Sequence, residues 1–282
     1  MNEFRADLHC HTTCSDGSET PEQIIELAKQ SNLSALSITD HDTISAYDTA
    51  FDLAKAAGIS LLTGVEFSSA LNQMSVHILG YGFQAKDKKI LELCTKHAER
   101  RKNRNLAILE LLAKHQMPLD YEDIICSIPV KLASKARSIG RPHIAYAMIA
   151  KGYVKTPKEA FDKYLGEERL CYIQGETFTV DETIETIHQA KGIAVIAHPH
   201  LIKNSKLLND LLKKDFDGIE CYYGKFFANE HLRWLKIAAH RNWLVTGGSD
   251  YHGMAKPNLN LGCSWVGQKD FQAILDRLAT MS

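Results

Sequence analysis

The sequence predicts an α/β protein: a parallel sheet or barrel interrupted by a helical insertion. Three observations carry this. Short apolar runs of strand length alternate with amphipathic segments of helix length. The alternation lapses between about residues 91 and 165, where only helical patterns appear. Core strands repeatedly deliver a histidine or a carboxylate at their C-terminal ends, where ligand sites lie in parallel α/β folds.

The first strand, with apolar Phe4, Ala6 and Leu8, runs into Asp7-Leu8-His9-Cys10-His11. Side chains alternate along a strand, so His9 and His11 share a face, and Asp16-Gly17 follows on the loop. Thr20-Pro21-Glu22-Gln23 is a helix start: a Thr N-cap, Pro at the first position and Gln completing a capping box. Ile24, Leu27 and Ala28 then recur at helical spacing. Ala35 to Thr39 is a second strand leading into Asp40-His41-Asp42. A helix bearing Ala46, Ala50, Phe51 and Ala54 stops at Gly58, a C-terminal cap glycine. A third strand, Ile59 to Val65, delivers Glu66, and a fourth, Ser75 to Tyr81, carries His77 in its middle.

These segments define residues 1–90 as the first part of the core, 91–165 as an insertion and 166–282 as the second part. In the insertion, Leu91 to His115 reads as one long polar helix, and shorter helices complete a cap over the site. Ile124 to Lys158 contains no Asp or Glu but holds Lys131, Lys135, Arg137, Arg141, Lys151, Lys155 and Lys158. A solvated face is the usual meaning of such a run. Here Gly140-Arg141-Pro142-His143 predicts a tight loop presenting Arg141 and His143 to phosphate, because an arginine fork matches phosphate oxygens. Lys135 and Arg137 are weaker candidates for the same contact.

Alternation resumes with a helix over Val180 to Lys191 and a strand, Ile193 to Ala197, ending in His198-Pro199-His200. A helix (Asn204 to Lys214), a strand (Gly218 to Tyr222) and a helix (Asn229 to Arg241) follow. Tyr222, Tyr223, Lys225 and Phe226 come after that strand and are candidates to line a base or ribose pocket. The last core strand, Leu244 to Gly248, ends in Ser249-Asp250-Tyr251-His252, and Phe271 to Leu278 is a closing helix.

Composition narrows the class. The 282 residues suit one large domain or one domain with an insertion. With 45% hydrophobic and 24% charged residues the chain reads as an ordinary globular protein, and a net charge of -1 favours neither duplex DNA nor a membrane surface. The start lacks a signal-peptide pattern, no apolar run reaches the ~18 residues of a membrane span, and seven cysteines without a CxxC suggest no disulfide framework. The expectation is a cytoplasmic protein with no obligate protein partner.

Nine donors thus collect at one end of the predicted strands: His9, His11, Asp16, His41, Glu66, His77, His198, Asp250 and His252. They are too many for one ion, and imidazole with carboxylate suits divalent Mn²⁺, Fe²⁺ or Zn²⁺. Asp40, beside His41, either orients an imidazole or caps the next turn. The opening His-x-His-x4-Asp-Gly, Thr39-Asp40-His41, Glu66 with His77, Ala197-His198-Pro199 and Ser249-Asp250-x-His252 resemble the PHP (polymerase and histidinol phosphatase) family over nearly the whole chain.

That resemblance implies a distorted (β/α)7 barrel with three divalent ions, Mn²⁺ first, hydrolysing phosphate esters. It implies one ion on His9, His11, Glu66 and Asp250, and a second on Glu66, His77 and His198. Asp16, His41 and His252 would take the third. His9, His11, Glu66, Asp250 and His252 are then the catalytic set. The cap with its Gly-Arg-Pro-His segment is similar to the branch holding the 3′,5′-nucleoside bisphosphate phosphatases and the 5′-3′ exoribonucleases. The substrate it implies is a nucleotide or short RNA, cleaved at the 3′-phosphate. The alternatives are a phosphatase of a small monoester such as histidinol phosphate, and a nucleic-acid-binding module with structural metals.

Overall fold

The computed structural model describes residues 3–127 and 138–281. It is an α/β fold with two sheets. The first holds β1 (Ala6–Cys10), β2 (Ala35–Ile38) and β3 (Ser60–Leu61) in parallel order β1-β2-β3. The second is mixed, with order β4-β5-β6-β7-β8: β4 (Gly64–Leu71), β5 (Met74–Tyr81), β6 (Ile193–Ile196), β7 (Gly218–Tyr223) and β8 (Leu244–Gly248). The strand expected over Ile59 to Val65 is therefore two, β3 and the start of β4.

Two features depart from the expected parallel barrel. β4 and β5 form an antiparallel hairpin paired from Gly64↔Tyr81 to Leu71↔Met74, and β5 is also antiparallel to β6. Its turn is Asn72-Gln73, both at positive φ (52° and 64°), the conformation whose twist suits a two-residue hairpin. Secondly, the ladders do not close into one barrel. Both seams between the sheets are held by isolated bridges, His41↔Glu66 on one side and Cys10↔Tyr251 on the other.

Buried polar groups finish those seams. The Tyr47 hydroxyl donates to the Ile38 carbonyl and accepts the Gly64 N–H, each at 2.7 Å, tying β2 to β4. Asp7 accepts the backbone N–H groups of Ser249 (2.9 Å) and Gly262 (2.8 Å), tying β1 to the end of β8. Its carboxyl is pushed up to about 6 by burial, against the hydrogen bonds that favour the anion.

Helices cover the sheets. α1 (Pro21–Gln30) starts in the predicted Thr20–Gln23 capping box, and α2 (Tyr47–Ala57) ends at Gly58 with φ of 72°, where only glycine is unstrained. α3 (Lys88–Lys114) takes its N-cap from Asp87. α4 (Tyr121–Ser127), α5 (Arg141–Ala150) and α6 (Pro157–Ala160) follow, and then α7 (Val180–Gln189), α8 (Ser205–Leu211), α9 (Ala228–Arg241) and α10 (Gln268–Met281).

The strands bury both faces, so their apolar residues sort by parity. Ile78, Ala194, Ile196 and Ile219 pack against the helices. Leu8, Leu79, Tyr81 and Val195 pack with Phe271 and Ile274 of α10. Ile108, Leu112, Ile124, Ile144, Met148 and Leu165 form a separate cluster. α3 joins the two parts, with Ile90 and Leu93 in the main core and Ile108 and Leu112 in the other.

Candidate metal centre

β1 ends in His9 and His11, both fully buried and facing one way as the strand period requires. The loop after them folds tightly: Thr12, Ser15 and Gly17 cross back over His11, and a Cβ at Gly17 would collide with the His11 carbonyl. This brings Asp16 back to the rings. Asp40 holds the loop, accepting the Thr12 N–H (2.7 Å), the Thr12 hydroxyl (2.6 Å) and the Ser15 hydroxyl (2.5 Å). Among the described residues it reaches an imidazole through Ser15, whose Oγ is 3.4 Å from His11 Nδ1.

Glu66 is the hub. Its Oε2 lies 3.1 Å from His11 Nε2, 3.2 Å from His41 Nδ1 and 3.4 Å from His9 Nε2. Its Oε1 lies 2.9 Å from His77 Nδ1 and 2.8 Å from His198 Nε2. Asp250 Oδ1 is 3.4 Å from His9 Nε2 and 3.3 Å from His11 Nε2, and His252 Nε2 is 3.4 Å from Asp16 Oδ1. All nine predicted donors therefore meet in one place. His198 and Asp250 sit there with φ of 27° and 52°, costly for residues other than glycine, as happens where function demands a particular side-chain direction.

The donor atoms form three overlapping groups: His9-His11-Glu66-Asp250, His11-Asp16-His41-His252 and His41-Glu66-His77. The first coincides with the expected set. The second adds His11 to its set, while the third has His41 where His198 was expected. His9 Nε2, His11 Nε2, His41 Nδ1 and Asp16 Oδ1 are buried and make no hydrogen bond among the described residues. Buried polar atoms are ordinarily partnered, so four orphans pointing into one cluster fit a metal site of more than one ion. Burial opposes ionisation of Glu66 and Asp250, yet both carboxyls are held well below the usual range. His41, His77 and His9 do this for Glu66, and Lys256 and His9 for Asp250.

Several supporting residues were not anticipated. Glu220, buried in β7, lies 2.9 Å from His9 Nδ1 and accepts the His198 backbone N–H at 2.6 Å. A carboxylate inside the apolar run Gly-Ile-Glu-Cys-Tyr was a legible signal. Tyr223 donates to Asp250 Oδ2 at 2.7 Å and Lys256 to the same oxygen at 2.5 Å.

The positive charge beside the centre also comes from an unexpected place. A cavity of about 190 Å³ is lined by Asp16, His41 and His77 and by Arg100, Arg101, Arg104 and Arg141. Three of those arginines belong to α3. Arg101 Nε and Nη2 contact Asp42 Oδ2 at 2.6 and 2.5 Å, anchoring the helix. Arg104 is pushed down to about 9, by burial first and then by Arg101, Arg141 and Arg100.

Of the basic run, Arg141 lines this cavity, stacks over Tyr172 and donates to the Leu165 carbonyl. The expected Gly-Arg-Pro-His loop is instead the first turn of α5, where the buried His143 accepts the Gly140 N–H through Nδ1. Lys151 pairs with Asp123 and Lys158 with Asp162 on the surface. Lys135 and Arg137 lie outside the described residues. Lys225 is exposed after β7 and does not line the cavity, and Tyr223 is buried against Asp250.

Comparison with known proteins agrees with the site. The PHP domain model matches residues 7–228, and the chain belongs to that family of metal-dependent hydrolases. It is 32% identical over 271 residues to a 5′-3′ exoribonuclease of Haemophilus influenzae, covering 92% of this chain and 91% of that one. It is 29% identical to a phosphoribosyl 1,2-cyclic phosphate 1,2-diphosphodiesterase of Eggerthella lenta (88% and 94% covered). It is 27% identical to a 3′,5′-nucleoside bisphosphate phosphatase of Chromobacterium violaceum (91% and 90%). A Bifidobacterium adolescentis structure assigned as a metal-dependent phosphoesterase superposes with a TM-score of 0.86 at 30% identity, with 96% of each chain covered. No described helix is long and apolar enough to cross a membrane.

Proposed function

We propose that this phosphoesterase hydrolyses the 3′-phosphate of nucleoside 3′,5′-bisphosphates, with three divalent ions at the nine-residue centre and 91–165 as a cap over it. One observation carries the choice: four guanidiniums line the same cavity as Asp16, His41 and His77. A single phosphate would be met by the ions. Arg100 and Arg101 face Asp42, but the half-buried Arg104 and Arg141 beside them call for a second anionic group, and the 5′-phosphate of a bisphosphate is one. Relatives acting on a bisphosphonucleotide and on RNA 5′ ends support the reading. Histidinol phosphate, with one phosphate, leaves Arg104 and Arg141 without an anion.

Divalent ions, which His9, His11, Asp16, His41, Glu66, His77, His198, Asp250 and His252 would hold, would supply an activated water and charge neutralisation for the phosphoryl oxygens. The protein does the rest. Glu220 fixes His9 so that Nε2 faces Glu66 and Asp250. Arg104 and Arg141 hold the remote phosphate, which orients the 3′-oxygen as leaving group. The inner arginine, Arg101, keeps α3 in place through Asp42.

The test is phosphate release by Mn²⁺-loaded protein from adenosine 3′,5′-bisphosphate, beside histidinol phosphate and a short 5′-phosphorylated RNA. Conversion of the bisphosphate to AMP with little action on histidinol phosphate is expected. Turnover of histidinol phosphate alone overturns the reading.

A further inference from the structure

One cation at the centre comes from neither α3 nor α5. Lys256 follows β8, just after the short helical turn Gly253–Ala255, and its Nζ is 2.5 Å from Asp250 Oδ2. That turn is pinned. The Ser18 N–H donates to the His252 carbonyl at 3.2 Å, and Ser18 Oγ accepts the Met254 N–H at 2.9 Å. Gly253 stands at φ of 60°, and a Cβ there would collide with the Ser18 and Glu19 side chains. The backbone leading to Lys256 is thus fixed beside the loop that carries Asp16.

Asp250 does not need this lysine for alignment. Its Oδ2 also accepts the Tyr223 hydroxyl at 2.7 Å. Tyr223 is buried, and His198, His200 and Phe226 surround its ring, so the hydroxyl is held in place. Lys256 is different: its side chain keeps 38% of its surface exposed. An ammonium on a four-carbon stem carries three rotatable donors, and the Asp250 contact uses one. Burial opposes its charge, but Asp250, Glu66 and Asp16 hold it above the usual lysine value. Divalent ions on those same carboxylates would offset the attraction and repel the ammonium, which then favours an added anion.

We propose that Lys256 is a catalytic residue that donates from Nζ to a non-bridging oxygen of the phosphate undergoing hydrolysis. This rests on the phosphoesterase class and not on the bisphosphate. The arginines line the cavity beside Asp16, His41 and His77, whereas Lys256 is not part of that lining and reaches the group of His9, His11, Glu66 and Asp250. A substrate with one phosphate therefore meets Lys256 as fully as a bisphosphate does, while Arg104 and Arg141 serve the second phosphate. Lys256 offsets the charge that builds on the phosphoryl oxygens and keeps its own proton throughout.

The experiment compares the wild type, Lys256→Met and Lys256→Arg, each loaded with Mn²⁺. It measures metal content after chelator competition, the Kd for inorganic phosphate by calorimetry, and kcat on adenosine 3′,5′-bisphosphate and on p-nitrophenyl phosphate. Lys256→Met is expected to keep the wild-type metal content, to lose about 100-fold in kcat on both substrates and to bind phosphate about ten-fold more weakly. Lys256→Arg should recover part of both losses. A fall in metal content in Lys256→Met overturns the proposal, because the lysine then serves only to position Asp250. An unchanged kcat, an unchanged phosphate Kd, or a loss confined to the bisphosphate overturns it as well. A wild type that hydrolyses p-nitrophenyl phosphate but not the bisphosphate overturns the bisphosphate reading alone, and the aryl phosphate then decides the role of Lys256.

Discussion

Glu220 lies 2.9 Å from His9 Nδ1, and both side chains are fully buried. The contact makes Nδ1 the protonated nitrogen and turns the free Nε2 toward Glu66 and Asp250. Glu220→Gln is therefore expected to weaken metal binding about 10–100-fold while the chain still folds. Chelator competition followed by metal analysis measures this, and an unchanged affinity would remove Glu220 from the centre.

Asp16 and His252 belong to one donor group with His11 and His41. Asp16→Ala or His252→Ala is expected to lower the bound metal by one ion per chain and to abolish most turnover. Normal metal content in either variant would sink the third-ion assignment.

Arg104 is a half-buried cation held among other cations. Arg104→Ala should raise KM for the bisphosphate about 10–100-fold, the value of a hydrogen bond to a charged group, with a much smaller change for an aryl phosphate. Inorganic phosphate should raise Tm less in the variant than in the wild type. Equal kinetic losses on both substrates would speak against the contact.

Asp42 illustrates the opposite balance. Burial disfavours its charge, but Arg101, His97 and Arg100 hold the carboxyl well below its usual range. Arg101→Ala should cost about 3–5 kcal/mol, since it strands a buried carboxylate. Urea denaturation reads this directly, and a loss under about 1 kcal/mol would mean the α3 anchor lies elsewhere.

His188 and Asp217 give a pH signature remote from the metals. His188 Nε2 is 2.7 Å from Asp217 Oδ2, which raises the His188 value; burial works against ionisation of Asp217, but the same contact lowers it. The histidine's contribution is full below the ordinary imidazole value and fades as pH rises through its raised value. The aspartate's is full above the ordinary carboxyl value and fades as pH falls through its lowered one. His188→Ala should thus cost about 1–2 kcal/mol near pH 5.5 and less at pH 9. A pH-independent loss would exclude the ion pair.

Sequence by itself determined the alternation of strands and helices, the caps at Thr20 and Gly58, and the nine candidate donors that the fold gathers in one place. These are local: a period of two places His9 beside His11, and most of the others stand at or just beyond a strand end. The hairpin escaped notice because its turn is Asn72-Gln73 and lacks the glycine that marks such turns. Only the tertiary structure decided which groups surround the centre. The sequence marked α3 only as one long polar helix; Asp42, 59 positions from Arg101, draws that arginine inward. His143 reads as a phosphate candidate, and only the fold shows its ring accepting the Gly140 N–H at the start of α5. Likewise Glu220 met His9 across 211 residues. Spacing along a chain records which face a side chain takes, whereas its partner depends on how separate elements pack. No local pattern carries that information.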